Sequence, residues 1–461
     1  MRKTCVSLIA LAAATMITAA NAQTTDLHNA IVAAIDSHPE INQAIQNKQA
    51  IEFEREQAQG LYLPRVSVEG SAGIRRLENN TRRTLGIGDQ TLYPAEANAV
   101  IEQTIFDSGY RASEKRRQAA RTDGAALRIE ERSEFIALNV TRQYLDYMLQ
   151  QRIVAASEDN IAFHQKLLGD LGEGVRQGSI SIADQQQAEE RLQSARVRKS
   201  EAEQDLTNAA ISFRTLTGLS IDQVQMPDPV TAAVPPTLDD AIAAARIGNP
   251  KVREAEADVQ AAHAVVGEAR SDLGPKVTLE GRGRIGDDVD GFRGSTNDVQ
   301  GRVVVRWQLF DGGINRAKVQ EMTRRASEAR FLLSQRQREA EEDVRTAWNR
   351  WDTEKKRIVD LERQGQVSDA LLVSYREQFN VGRRSLLDVL DSQNTRYNTQ
   401  IRSETARFSE IFAQYQILAA DNKLLDTLGI APPSDSEATA RARFKVDDLP
   451  PAELMRRRNP Q

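Results

Sequence analysis

The chain is written twice. Leu27-His-Asn-Ala-Ile31, followed by His38-Pro39, recurs 211 positions later as Leu238-Asp-Asp-Ala-Ile242, followed by Asn249-Pro250. At the same offset, Pro64-Arg-Val66 with Glu69-Gly70 recurs as Pro275-Lys-Val277 with Glu280-Gly281. Phe106-Asp107-Ser-Gly109 recurs as Phe310-Asp311-Gly-Gly313 at an offset of 204, and Gly178, Ser181 and Asp184 recur at that offset as Gly382, Ser385 and Asp388. Two constant offsets that differ by seven put a single length difference between Gly70 and Phe106. Everything else is in register. A repeat of this length predicts an internally duplicated fold whose halves supply the same elements in the same order.

The boundaries follow. Residues 226–237 hold Pro227, Pro229, Pro235 and Pro236 and are expected to form a linker between a first repeat, 23–225, and a second, 238–430. The tail, 431–461, combines Pro-Pro pairs and charges with few large apolar residues, a composition expected to be disordered. At the other end, Arg2 and Lys3 precede a short apolar run, and Ala20-Asn21-Ala22 fits a signal-peptidase site, so residues 1–22 read as a signal peptide. The single cysteine, Cys5, goes with it. The mature chain would then hold no disulfide, thiolate metal site or cysteine nucleophile. Without Arg2 and Lys3, 59 basic residues stand against 66 acidic ones, a balance with no general attraction for nucleic acid.

Each half reads as a short helix, a break at His38-Pro39 or Asn249-Pro250, a second helix, then strands. In the first half Val66, Val68, Gly70, Ala72 and Ile74 alternate with Arg65, Ser67, Glu69, Ser71 and Arg75. In the second, Val277, Leu279, Gly281, Gly283 and Ile285 alternate with Thr278, Glu280, Arg282 and Arg284; Val299, Gly301, Val303, Val305, Trp307 and Leu309 alternate with Gln300, Arg302, Arg306 and Gln308. A period of two with charge on one face predicts strands with one face in lipid or core. A less regular partner strand is expected over 97–106. The Gly281-x-Gly283-x-x-Gly286 string resembles a dinucleotide fingerprint, but a loop follows it instead of a helix, so barrel packing explains its glycines better.

After each Phe-Asp-x-Gly the period changes. From Ile314 to about Tyr375 there is no proline and one glycine, and apolar residues recur at steps of three, four or seven, which predicts a rod of roughly 100 Å. A turn at Gly382 reverses the chain into a shorter helix from Leu386 to about Leu428; the first half repeats this over 108–171 and 180–216. Four strands cannot close a barrel, since single-chain barrels start at about eight, and lipid tolerates no open edge. Three chains would supply twelve. The expected fold is therefore an α+β membrane protein with four barrel strands per chain, in which several chains close one β-barrel and four rods per chain match the four strands. The four histidines have no metal-ligand spacing, no catalytic arrangement stands out, and no cofactor is expected.

Phe310-Asp-Gly-Gly-Ile-Asn-Arg316 and Phe379-Asn-Val-Gly-Arg-Arg-Ser-Leu-Leu-Asp-Val-Leu-Asp391, with Tyr397 following, resemble the TolC family of outer-membrane channels, and the resemblance spans residues 24–430. It implies an export tunnel in the cell outer membrane with a large periplasmic part: a homotrimeric twelve-stranded β-barrel, four strands per chain, continuing into a long periplasmic α-helical barrel. The implied partners are a periplasmic adaptor, an inner-membrane ABC transporter or proton-driven pump, and outer-membrane lipid. It implies that Asp388 and Asp391 form two acidic rings at a tip constriction. Arg384 would tie the inner hairpin to Asp184 on the outer one, and the turn residues Gly178, Ser179, Val381, Gly382 and Arg383 would face the adaptor. Phe379 stands where the family prototype has a tyrosine, and Ala183 replaces a hydroxyl residue, so the latch would depend on Arg384. Type I protein secretion is the expected service, on the segment 384–392. Small-molecule efflux is the alternative, and a secreted coiled-coil or adhesin stalk a remoter one.

Overall fold

The computed structural model describes residues 26–446. The expected signal peptide and the end of the tail, 447–461, lie outside the described residues.

The described residues open with α1 (Leu27–Ser37) and α2 (Pro39–Gly60), joined at His38, whose ring accepts from the Glu40 amide while Pro39 takes the first helical position. Proline suits that position because its missing N–H would have had no helical partner. Strands β1 (Arg65–Ala72), β2 (Arg75–Arg76), β3 (Thr91–Leu92) and β4 (Ala95–Phe106) follow, with α3 (Asn80–Thr84) between β2 and β3. Then come α4 (Tyr110–Arg176) and α5 (Ile182–Thr217). The second half gives α6 (Leu238–Gly248), α7 (Pro250–Ser271), β5 (Lys276–Asp287), β6 (Ser295–Arg306), α8 (Ile314–Asn380) and α9 (Leu386–Ala420). Short α10 (Leu424–Thr427) and α11 (Ala440–Arg443) end the described chain. At the α6–α7 joint Asn249 caps the Lys251 amide ahead of Pro250, the same device as His38-Pro39.

The Phe-Asp-x-Gly signature builds the strand-to-rod joint. Asp107 accepts from the amides of Gly109 and Arg111, both at 3.2 Å, and Asp311 from those of Gly313 (2.9 Å) and Asn315 (2.8 Å). Gly109 and Gly313 sit at φ of 96° and 91°, a left-handed turn that a side chain disfavours. Each carboxylate thus lies at the positive end of a 67-residue helix, where helix polarity favours it. At 1.5 Å per residue these rods are about 100 Å long.

Strand order is β1-β4-β5-β6, antiparallel throughout. Directly paired residues share a face, so register sorts the sheet into two lanes. One lane holds Val66 with Ile101, Val68 with Ala99, Leu279 with Val303, and Val277 with Val305. All but the half-buried Val277 are exposed; Val299, also in this lane, is 90 % so. The other lane is polar. β6 ends at Arg306, short of the expected Leu309, and the Trp307 indole donates to the Leu273 carbonyl instead of extending the ladder. The seven extra residues of the first half fall in 73–94, where α3 and the β2–β3 pair fold over the loop 288–294. Fully buried Arg82 ties the two loops, donating to the carbonyls of Ile87, Gln90 and Gly291. Asp288 and Val289, in the loop after Gly286, are buried under this brace.

The main core lies at the waist of the rods, where Ile31, Tyr144, Phe213, Ile242, Tyr415 and Leu418 meet. The proline-rich linker is docked there: Val230 and Val234 are buried, and Thr231 donates to Gln414 at 2.6 Å. Helix α9 stops at Ala420, not near Leu428, because Asn422 turns left-handed (φ 62°).

The tail needs a correction. Residues 431–446 were expected to be disordered, yet they run as a clasp from the waist, where Ile430 is buried, along α4 towards the sheet. The buried Asp123 carboxylate on α4 accepts from the Ala440 amide (2.7 Å), the Arg441 amide (3.0 Å) and the Arg441 guanidinium (2.9 Å). Asp435 pairs with Lys48 of α2, and the Phe444 ring lies under Lys115 and Arg55. Composition missed it because the clasp is held by polar anchors rather than by an apolar face.

Candidate gate at the helical tips

Both hairpins turn by the same chemistry. Gly178 (φ 75°) and Gly382 (φ 69°) reverse the chain beyond α4 and α8. Ser181 then caps α5 by accepting from the Asp184 amide, and Ser385 caps α9 by accepting from the Asp388 amide. The Asp side chains answer: Ser181 donates to Asp184 at 2.6 Å and Ser385 to Asp388 at 2.8 Å. The repeated Gly-x-x-Ser-x-x-Asp is therefore a turn followed by an N-cap.

The two tips pack through a small apolar cluster. Leu167 and Leu171 of α4 and Ala188 of α5 meet Leu386 and Leu390 of α9, with Phe163, Ile180 and Phe379 against them. Phe379 contributes apolar contact here and no hydrogen bond, as its side chain requires. Higher up the seam becomes polar. Gln393 donates to Asn160 at 2.8 Å, Ser157 and Tyr397 share a 2.8 Å hydrogen bond, and both pairs are buried. Arg376 reaches Asp170 at 3.2 Å and Arg198 reaches Asn394 at 2.9 Å.

Arg384 and Asp184 are each engaged inside their own hairpin. The Arg384 guanidinium lies 4.3 Å from the centre of the Tyr375 ring, donates to Gln378 at 3.1 Å and stands 3.7 Å from Asp388. Asp184 faces Ser181. Within one copy the inner hairpin is joined to the outer by Gln393, Tyr397, Arg376 and Asn394 rather than by Arg384. Asp388 and Asp391 are three apart on α9, with Asp388 half-buried and Asp391 exposed. The Ser385 hydroxyl, aided by Arg384, holds Asp388 below the usual carboxylate range. Ser179, Val381 and Arg383 are exposed at the turns.

His164 sits between the apolar and polar parts of the seam, 6 % exposed, with Nδ1 buried and without a partner. Burial, reinforced by Arg191 and Arg198 of α5, pushes its pKa down to about 4. The sequence signal for this seam was the spacing: Ser157, Asn160 and His164, and Gln393 and Tyr397, recur at helical steps of three and four among apolar seam positions.

A rod-and-sheet subunit with an apolar strand face and a tip of paired hairpins is the architecture of an outer-membrane channel, and the chain belongs to the outer membrane efflux protein family, whose model matches residues 30–219 and again 241–429. Outer membrane efflux protein BepC of Brucella suis is 25 % identical over 298 residues, covering 62 % of this chain and 63 % of that protein, under two thirds of its length. Outer membrane protein TolC of Escherichia coli is 21 % identical over 403 residues, covering 83 % of this chain and 79 % of that one. Among solved structures, a membrane protein from Pseudomonas aeruginosa superposes with a TM-score of 0.78 at 16 % identity, covering 86 % of this chain and 91 % of that one. That likeness concerns the fold.

Proposed function

We propose that the chain is one subunit of a homotrimeric outer-membrane conduit whose helical rods reach through the periplasm to an adaptor and an inner-membrane pump. The observation that carries this is the four-stranded sheet with a largely exposed apolar lane and, among the described residues, two unpaired edges, β1 and β6. Lipid accepts the lane but not the edges, and three copies joined edge to edge would close twelve strands. Tyr62, Phe106, Trp307 and Phe310, exposed at the helix end of the sheet, and Tyr93 and Phe292 at the loop end, would supply the aromatic girdles of a barrel. A stalk has no use for such a lane. Light scattering of the detergent-extracted protein should give three subunits; a stable folded monomer overturns the reading.

At the tip, Asp388 and Asp391 would form stacked acidic rings around the three-fold axis, attracting cations. The Arg384–Asp184 pair would then form between neighbouring copies, at the expense of the Gln378 and Asp388 contacts. Arg384→Ser should raise single-channel conductance, and Asp388→Ala with Asp391→Ala should reduce cation selectivity. Gly178, Ser179, Val381, Gly382 and Arg383 would meet the adaptor. Type I protein secretion is the favoured service, because segment 384–392 resembles secretion-type members. Small-molecule efflux is the second reading, supported by the name of the relative BepC. Comparing the secretome with the drug sensitivity of a deletion strain separates them.

A further inference from the structure

The polar lane of the sheet is charged unevenly along its length. Near the rods, Arg65, Glu102, Glu280 and Arg302 fall in one cross-strand row; Arg282 lies in the next row with Ser67, Val100 and Gln300, and Lys276 opposes Arg306 at the end of the sheet. Five bases stand against two acids there. Towards the loops, in the same lane, Glu69, Glu96 and Asp298 stand against Arg284. The rod-side half is net positive and the loop-side half net negative, in a chain whose formal charge is −5.

The neighbours leave the rod-side positive charge largely uncompensated. Glu280 is buried between Arg302 at 2.6 Å and Arg306 at 3.2 Å, so one carboxylate serves two guanidinia. Arg282 donates to the neutral Asn98 amide oxygen at 3.2 Å. Arg65, Lys276 and Arg306 line a cleft of about 990 Å³ under the sheet. Two acids lining it, Asp107 and Asp272, are taken up by Arg111 (2.6 Å) and Lys318 (2.9 Å). Glu102 is left there to oppose Arg65.

We propose that this band is a selectivity belt for multivalent anions, holding carboxylate- or phosphate-bearing cargo as it crosses the barrel. The inference rests on the conduit reading, in which three copies turn their polar lanes to one lumen. A narrow lumen with low-dielectric walls concentrates the field of such a ring. The belt acts independently of the acidic tip: a rod of about 100 Å separates them, against a screening length of about 10 Å at 0.1 M salt. The two charges therefore sort ions from opposite ends.

The test is current block in planar bilayers at pH 7, with inorganic tripolyphosphate added to the barrel side or the tip side. Block is expected from the barrel side. In the triple variant Arg65→Gln, Lys276→Gln, Arg282→Gln it should need roughly tenfold more tripolyphosphate. Glu280→Gln should tighten it by freeing two guanidinia, while Arg293→Gln, in the outer loop, should leave it unchanged. A polyglutamate arm separates the sources: block by both probes assigns the belt to multivalent anions at large, and block by tripolyphosphate alone assigns it to phosphate-bearing cargo. Equal block in the wild type and the triple variant overturns the belt. Failure of every form to conduct overturns the conduit reading and the belt with it.

Discussion

Gln393 on α9 donates to Asn160 on α4 at 2.8 Å across the boundary between the inner and outer hairpins, and Gln393 is 1 % exposed. A hydrogen bond so placed holds the two hairpins in one register, because leaving either amide unpaired in the interior costs about 1–3 kcal/mol. Gln393→Leu or Asn160→Leu alone should destabilise the tip by that amount. The double change should cost clearly less than the sum. Thermal unfolding of the four forms in detergent gives the coupling, and strict additivity refutes it.

His164 makes the same seam sensitive to acid. Its folded pKa of about 4 lies below the ordinary 6.5, so the unfolded chain binds the extra proton between those values. Stability contributed by the neutral ring is complete above pH 6.5 and is lost as the pH falls through 4. The groups facing it from α5, Arg191 and Arg198, are cationic; the nearby acids Glu158 and Asp170 are occupied by Lys199 and Arg376. The wild-type melting temperature should fall across that window, and His164→Gln should flatten the fall. An unchanged profile assigns the acid sensitivity to other groups.

Position 303 tests the two lanes. Val303 lies in the apolar lane and Gln300 in the polar one. In the proposed barrel Val303→Arg would put a charge toward lipid and should cost about 2–4 kcal/mol. Gln300→Arg should be tolerated. The yield of heat-resistant oligomer from membranes separates the two; equal yields refute the assignment of faces.

The clasp predicts a defect where composition predicted none. Asp123→Ala strips the acceptor from the buried Ala440 amide, the half-buried Arg441 amide and a guanidinium, and should destabilise the fold by roughly 2–3 kcal/mol. Truncation before Pro432 should do the same or more, read as a lower melting temperature. A truncated chain as stable as the full one would show the clasp to be idle.

What was legible in advance was what repeats or alternates. The strand lanes, the Phe-Asp-x-Gly joints and the rods all follow local rules: period two, a left-handed glycine beside a carboxylate, and a proline-free seam. Pairings between distant segments were not legible. Arg384 was read against Asp184, yet a guanidinium within reach of Tyr375, Gln378 and Asp388 takes those partners first in a single copy. Gln393, Tyr397 and Asn160 are ordinary polar residues in a helix until the seam brings them together. Asp123 and Arg441 are 318 positions apart, and no local pattern links them.

That separation bears on how the molecule is made. Lys48 and Asp435 meet across 387 positions, so the clasp ties helices near the start of the chain to residues near its end. Closing so long a loop gains nothing until residues 431–446 have been delivered. A nascent chain can coil its rods early, but the clasp stays open until residues 431–446 have been made. The clasp thereby separates chains that carry residues 431–446 from chains that stop short of them.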